Sequence, residues 1–175
     1  MNDVAPDLVE WLARDEEGSR HYRAERLKEL LSIFESQKTH VLFWGGTVSH
    51  QSYMELRLAF IHGLYLSTVL LTLACIEQEL AGTLHGEGDN EAAKMNLETL
   101  LQTARSRGYV NQNLFSEINA LRSIRNSYAH YRPPGDKRHY MQRALKRTDV
   151  SNDLSKDDAL RALHTLAQLL STSWT

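Results

Sequence analysis

The chain has 175 residues, of which 42% are hydrophobic and 24% are charged, and its formal net charge is −2. These values are ordinary for a globular domain, and the near-neutral charge argues against nucleic-acid binding over the whole surface while allowing a local basic patch. At this length we expect a single domain, residues 1–175, with residues 1–48 as a possible N-terminal helical extension.

The single cysteine, Cys75, lies in the most apolar stretch of the chain. It cannot form a disulfide within the chain and has no metal ligands at useful spacing, so we interpret it as a buried, inert thiol. The acidic amino terminus lacks the basic residues and apolar run of a secretory signal. We therefore expect a reducing, cytoplasmic location, with no cofactor and no metal ion.

Two helices are predicted in the first 37 residues. An acidic helix begins at Pro6 or Asp7, and Gly18-Ser19 is expected to break it. A second helix follows over residues 20–37. Residues 39–49 could form a short extended piece or a packed loop, and their Gly-Gly pair lacks the Gly-Lys-Ser/Thr sequence of a phosphate-binding loop.

The most apolar segment, residues 51–84, is predicted to form one long helix or two helices joined near Gly63. Residues 58–76 contain no Asp, Glu, Lys or Arg and are long enough to span a bilayer. Because they include His62 and several hydroxyl residues, and no positive cluster marks one flank, we interpret them as a central buried helix and expect no membrane partner. Such a helix needs additional neighbours, which a helix–helix contact in a homodimer could supply.

Further helices are predicted in the second half of the chain. Asp89 or Asn90 caps one that Gly108 ends, the next covers residues 113–131, and a last amphipathic helix follows turn signals near residue 151. Residues 136–146 could form a short helix or a mobile basic segment. No alternation of period two extends beyond a few residues, so the fold class is all-α, an antiparallel bundle of about five or six helices.

The most informative stretch is residues 121–132, Leu-Arg-Ser-Ile-Arg-Asn-Ser-Tyr-Ala-His-Tyr-Arg. Arg122, Asn126 and His130 are spaced by four residues, so on a helix they form one polar stripe. Arg125 falls instead on the apolar face, where a guanidinium is costly unless it meets a partner or an anion.

These residue types suit RNA cleavage without a metal ion. His130 can transfer protons near neutral pH, and the planar guanidinium of Arg125 can stabilise charge on a phosphate. Asn126 can orient the imidazole or hold the substrate, and Arg122 can add a second phosphate contact.

A purely structural interpretation of the same residues remains open. Basic groups near the carboxyl end of a helix interact favourably with its dipole. Arg125 could also pair with Glu77 or Glu79 of the long apolar helix.

Basic and aromatic residues are concentrated after this stretch, which suits single-stranded RNA through charge and base stacking. An exposed, solvated loop is the alternative. The bases are Arg132, Lys137, Arg138, Arg143, Lys146 and Arg147, and Tyr131, His139 and Tyr140 stand among them. The candidate substrate-binding residues are Arg122, Tyr131, Arg132, Lys137 and Arg138.

Residues 125–130, Arg-Asn-Ser-Tyr-Ala-His, resemble the signature of HEPN domains, in which four to six residues, the first of them polar, separate an Arg from a His. That family often carries an Ala-x-x-Glu pattern on a preceding apolar helix, as residues 74–77 do here. The resemblance covers about residues 50–170. Some toxin members have a tyrosine two residues after the histidine, which a partner nucleotidyltransferase modifies; Arg132 stands there instead, a departure from that subtype.

The resemblance implies a helical bundle that dimerises with two motifs facing each other across a cleft. It also implies that Arg125 and His130 are catalytic and that Asn126 assists them. The leading hypothesis is a homodimeric, metal-independent endoribonuclease for single-stranded RNA in a toxin–antitoxin or phage-defence system. The alternative is a catalytically inactive HEPN-like module that binds a partner protein such as an antitoxin, a nucleotide or RNA.

Overall fold

The computed structural model describes residues 6–35, 43–146 and 153–171. Over these residues the chain forms seven α-helices and no strand, which confirms the predicted all-α class. The helices are α1 (Pro6–Glu35), α2 (Gly46–Ile61), α3 (Tyr65–Gly86), α4 (Leu97–Ser106), α5 (Gln112–Ala129), α6 (Tyr140–Leu145) and α7 (Leu154–Ser171), with a 3₁₀ turn at Ala92–Lys94. Arg147, and the parts of the predicted elements that fall on residues 36–42 and 147–152, lie outside the described residues.

The first helix differs from the prediction, because α1 runs without a break through Gly18-Ser19. A glycine inside a helix costs only about 1 kcal/mol relative to alanine, which neighbouring turns can offset. The apolar positions also keep the same helical face on both sides of the glycine, so nothing in the pattern requires a new helix to start there.

The segment 51–84 lies in two helices joined near Gly63, which confirms the second of the two predicted alternatives. Gly63 has a φ of +76° between α2 and α3, a conformation that favours glycine and reverses the chain. Ser49 near the start of α2 contacts Glu79 in the second half of α3, while Phe60 near the end of α2 contacts Tyr65 at the start of α3. The two helices are therefore antiparallel.

The prediction for residues 46–49 was wrong, since α2 already begins at Gly46. A buried carboxylate explains this early start. Glu79 of α3 accepts hydrogen bonds from the backbone N–H groups of Trp44 (3.1 Å) and Gly45 (3.2 Å) and from the Ser49 hydroxyl. It thereby binds N–H groups at the start of α2, which have no partner within the helix.

Burial raises the pKa of the Glu79 carboxyl above its ordinary value, although the hydrogen bonds from Ser49 and the two amides lower it. Cys75 lies beside this group and is fully buried, as predicted. Burial also raises the pKa of its thiol to about 12, so the thiolate needed for reactivity is scarce at neutral pH.

The core lies around α3, whose buried residues include Leu73, Ile76 and Leu80. The prediction that this helix is buried on all sides holds only in part, because Leu66 and Ala74 are exposed. Within the described residues, none of the helices combines the length and the apolar character that crossing a membrane requires.

Helix α5 packs against α4 and α7. α4 and α5 are antiparallel, since Glu98 at the start of α4 contacts Arg122 late in α5, while Arg105 stacks on the ring of Phe115. α5 and α7 are joined by an ion pair between Glu117 and Arg161 at 2.8 Å.

Candidate functional site

The candidate site lies at the carboxyl end of α5. The helix begins at an Asn111 cap, whose side chain accepts a hydrogen bond from the Leu114 N–H at 2.9 Å. Leu114, Ile118 and Leu121 form the apolar face of this helix and are buried, and this packing fixes the direction of the helix. Arg125 continues the same line and is half-buried.

His130 does not lie on the predicted helical stripe, because α5 ends at Ala129. His130 has φ −125° and ψ 138°, which is extended backbone, and its side chain is exposed. Pro133 and Pro134 cannot continue a helix, and a residue before a proline is disfavoured in helical conformation, so the chain leaves the helix a few residues earlier. The imidazole therefore lies just past the helix end, on extended backbone.

Arg125 has no ion pair among the described residues. Its Nε is buried and has no hydrogen-bond partner, and its Nη2 lies 3.4 Å from the Asn126 Oδ1. Glu79 does not neutralise Arg125, although the sequence allowed that pair, because its carboxylate accepts hydrogen bonds at the start of α2. A half-buried guanidinium without a carboxylate is the expected setting for a bound anion.

Arg122 is placed differently from Arg125. Its Nη2 donates to the Glu98 Oε2 at 2.8 Å, and its Nη1 donates to the Asn119 Oδ1 at 2.7 Å. This guanidinium therefore ties α4 to α5. Its role as a second phosphate contact stays a prediction, and the pair with Glu98 competes with it.

The loop between α5 and α6 carries the other candidate substrate-binding residues. Tyr131 is 89% exposed, and Lys137 is also exposed. Asp136 contacts both Arg138 (3.1 Å) and Arg132 (3.8 Å), and the hydrogen bonds from Arg138 lower the pKa of Asp136 to about 2. The Nε of Arg132 is buried without a hydrogen-bond partner, as in Arg125.

A buried cluster of polar side chains, which was not predicted from the sequence, holds α6 in place. Asp158 of α7 is only 5% exposed and accepts two hydrogen bonds from Arg143 Nη2, at 2.7 and 2.8 Å. It also accepts one from the Tyr128 hydroxyl at 2.7 Å, while Arg143 Nη1 donates to the Ser127 hydroxyl at 3.2 Å. Burial, followed by the bond to Asp158, raises the pKa of Tyr128.

Asp158, which as an aspartate early in α7 could have been a cap or surface charge, is instead a buried partner of Arg143 and Tyr128. A signal was present in the sequence, since Asp158 lies four residues before Ala162 and eight before Leu166, on the buried line of α7. An acid on a buried line, in a chain with a nearby basic segment, indicates an internal ion pair. The same pair shows that α6 is a short helix packed against the bundle, which settles the alternative that the sequence left open.

No cluster of three or more His, Cys, Asp or Glu side chains that could hold a metal ion occurs in the described ranges. Comparisons of the chain with protein-family models, with curated proteins and with solved structures found no match.

Proposed function

We propose that the chain is a metal-independent endoribonuclease of HEPN type that acts on single-stranded RNA. The observation that carries the proposal is the half-buried guanidinium of Arg125, which has no carboxylate partner in the described structure and stands next to Asn126 and close in sequence to the exposed His130. A phosphodiester would supply the missing negative charge.

In the proposed reaction, His130 accepts the proton of a ribose 2′-hydroxyl, and the 2′-oxygen attacks the adjacent phosphorus. The bond from phosphorus to the 5′-oxygen of the next nucleotide breaks, leaving a 2′,3′-cyclic phosphate. The leaving oxygen takes a proton from an imidazolium, which is that of a second copy if two motifs share one cleft. Arg125 stabilises the additional negative charge on phosphorus-bound oxygens in the transition state.

The surroundings support RNA as the substrate. The residues from 131 to 146 hold five bases and one acid, for a net charge of +4, and include the exposed ring of Tyr131. Such a segment can follow a phosphate backbone and stack against an unpaired base. The resemblance of residues 125–130 to HEPN domains supports a homodimer and a toxin–antitoxin or phage-defence setting.

The test is an assay of single-stranded RNA cleavage in EDTA, with the wild type beside His130→Ala. We expect the substitution to lower the rate on the order of 10²–10⁴-fold, because proton transfer by a positioned side chain contributes about that much. His85→Ala, which removes another exposed histidine at the end of α3, should leave the rate unchanged. Cleavage that survives His130→Ala would rule out the proposed chemistry.

The same assay separates the enzyme from the inactive module. Wild-type protein that binds RNA without cutting it would favour the non-catalytic alternative, in which Arg125 serves as a phosphate contact only. Circular dichroism of each variant would show that the helical fold is retained.

A further inference from the structure

The amino-terminal part of α1 carries an apolar face that nothing in the described structure covers. The residues from 8 to 18 are all exposed, although they form three turns of regular helix. We use the name free stripe for Leu8, Val9, Trp11, Leu12 and Tyr22, whose exposed fractions run from 55% to 64%. Isolated helices of this length are marginal in water, so a helix that projects alone is expected to have a partner.

The free stripe continues a face that is already used for packing. Leu8, Leu12 and Tyr22 share one helical face with Leu30 and Ile33, which are buried against the rest of the bundle. The intervening positions of that face are polar, namely Asp15, Ser19 and Arg26. Between Tyr22 and Leu30, the Nε of Arg26 donates to the Ile61 carbonyl at 2.8 Å. One face of α1 thus contacts the bundle at its carboxyl end and is uncovered at its amino end.

The charges along α1 indicate what could cover the stripe. The acidic half, residues 8–17, holds four acids and one base, whereas the basic half, residues 18–28, holds four bases and one acid. An antiparallel pair of α1 helices places each acidic half against the basic half of the other copy, while a parallel pair places like charges together. Such a pair is also self-complementary, as a two-fold symmetric dimer requires.

Other occupants fit the same surface less well. Amphipathic helices that lie on membranes carry an excess of Lys and Arg, and the acidic half of α1 has the opposite sign. The same negative charge disfavours RNA.

We infer that α1 is a dimerisation helix, whose free stripe packs antiparallel against residues 18–28 of α1 in a second copy of this chain. The inference does not rest on the chemistry at Arg125 and His130. It adds a contact surface on α1, remote in sequence from the motif.

The experiment is sedimentation velocity on the full chain at micromolar concentration, with charge reversals beside the free stripe. One variant carries Asp15→Lys, another carries Arg20→Glu, and a third carries both changes. Glu16 and Arg23 are left unchanged because they contact each other within α1 at 3.7 Å. We expect a wild-type dimer, a weaker dimer for each single variant, and the wild-type affinity again for the double variant, because reversing both charges restores complementarity. A parallel pair would not show this pattern, since reversing one half leaves like charges facing each other.

The control carries Glu87→Lys and Glu91→Lys, two exposed acids that follow α3, and it should remain a dimer. Helix content by circular dichroism distinguishes lost pairing from a melted helix. Wild-type protein that is monomeric would overturn the inference, as would single reversals that leave the affinity of the dimer unchanged, or a double reversal that fails to restore it.

Discussion

The arginines in and after α5 occupy two kinds of environment. Arg122 and Arg143 each have a carboxylate partner within 3 Å, on α4 and α7 respectively. Among the described residues Arg125 has no such partner, and its buried Nε makes no hydrogen bond there. Arg122 and Arg143 therefore join helices through ion pairs, whereas the guanidinium of Arg125 is not neutralised within the described structure.

Two of these ion pairs differ in burial and should differ in energetic weight. Asp158→Asn removes the buried carboxylate that neutralises Arg143 and accepts from Tyr128, so we expect a loss of about 2–3 kcal/mol in the free energy of unfolding. Glu98→Gln breaks the pair with Arg122, but that carboxylate is 57% exposed, and the expected loss is under about 1 kcal/mol.

Urea denaturation of the two variants beside the wild type measures both losses. If Glu98→Gln proved the more damaging change, the assignment of Asp158 as the anchor of α6 would be wrong.

At the scale of elements, the start of α2 is defined by α3 as much as by its own sequence. A Cβ added to Gly82 would lie 2.1 Å from the backbone oxygen of Trp44, so the turn before α2 can approach α3 only at a glycine. This close approach lets Glu79 reach the backbone N–H groups of Trp44 and Gly45. The Gly45-Gly46 pair is therefore part of a packed turn.

Two alanine substitutions test this role of glycine. Gly82→Ala should destabilise the fold by more than about 1 kcal/mol, because a backbone atom must move to admit the methyl group. Gly18→Ala, also inside a helix, meets no atom within 4 Å and should stabilise the chain by about 0.5–1 kcal/mol. Thermal unfolding followed by circular dichroism measures both, and a neutral Gly82→Ala would contradict the packed turn.

The sequence predicted the elements whose signals are local. The steps of three and four residues identified α5 and α7, and Gly63 marked the junction of α2 and α3. The helix end before His130 was missed by two residues, because the effect of Pro133 extends farther back than the proline itself. The early start of α2 depends on Glu79, which lies 33 residues after Gly46, and no local pattern could report it.

The candidate site was predictable only in its residue types. Spacing brought Arg125, Asn126 and His130 together as candidates, and the structure places the first two in contact. The sequence could not show that Arg122 pairs with Glu98 whereas Arg125 has no ion pair among the described residues, because both are arginines on one helix. That difference depends on whether a neighbouring helix places a carboxylate within hydrogen-bond distance of the guanidinium.

At the scale of the whole molecule, the described structure is a helical bundle with the candidate site at the carboxyl end of α5 and an uncovered apolar face at the amino end of α1. For each feature we propose a partner outside the described structure, which is a phosphate for Arg125 and a second apolar surface for α1. If a dimer forms through α1, the resemblance to HEPN domains adds a second requirement, that two motifs share one cleft. The two arrangements can be tested separately, because they use different helices.

The most direct test of the central claim compares Arg125→Ala with Arg122→Ala for the rate of single-stranded RNA cleavage. Removing Arg125 should lower the rate on the order of 10²–10³-fold, as expected for the loss of a group that stabilises transition-state charge. Removing Arg122, which already has a carboxylate partner, should lower it by less than about tenfold. Equal losses for the two variants, or a rate unchanged by Arg125→Ala, would contradict the assignment of Arg125 as the guanidinium that meets the scissile phosphate.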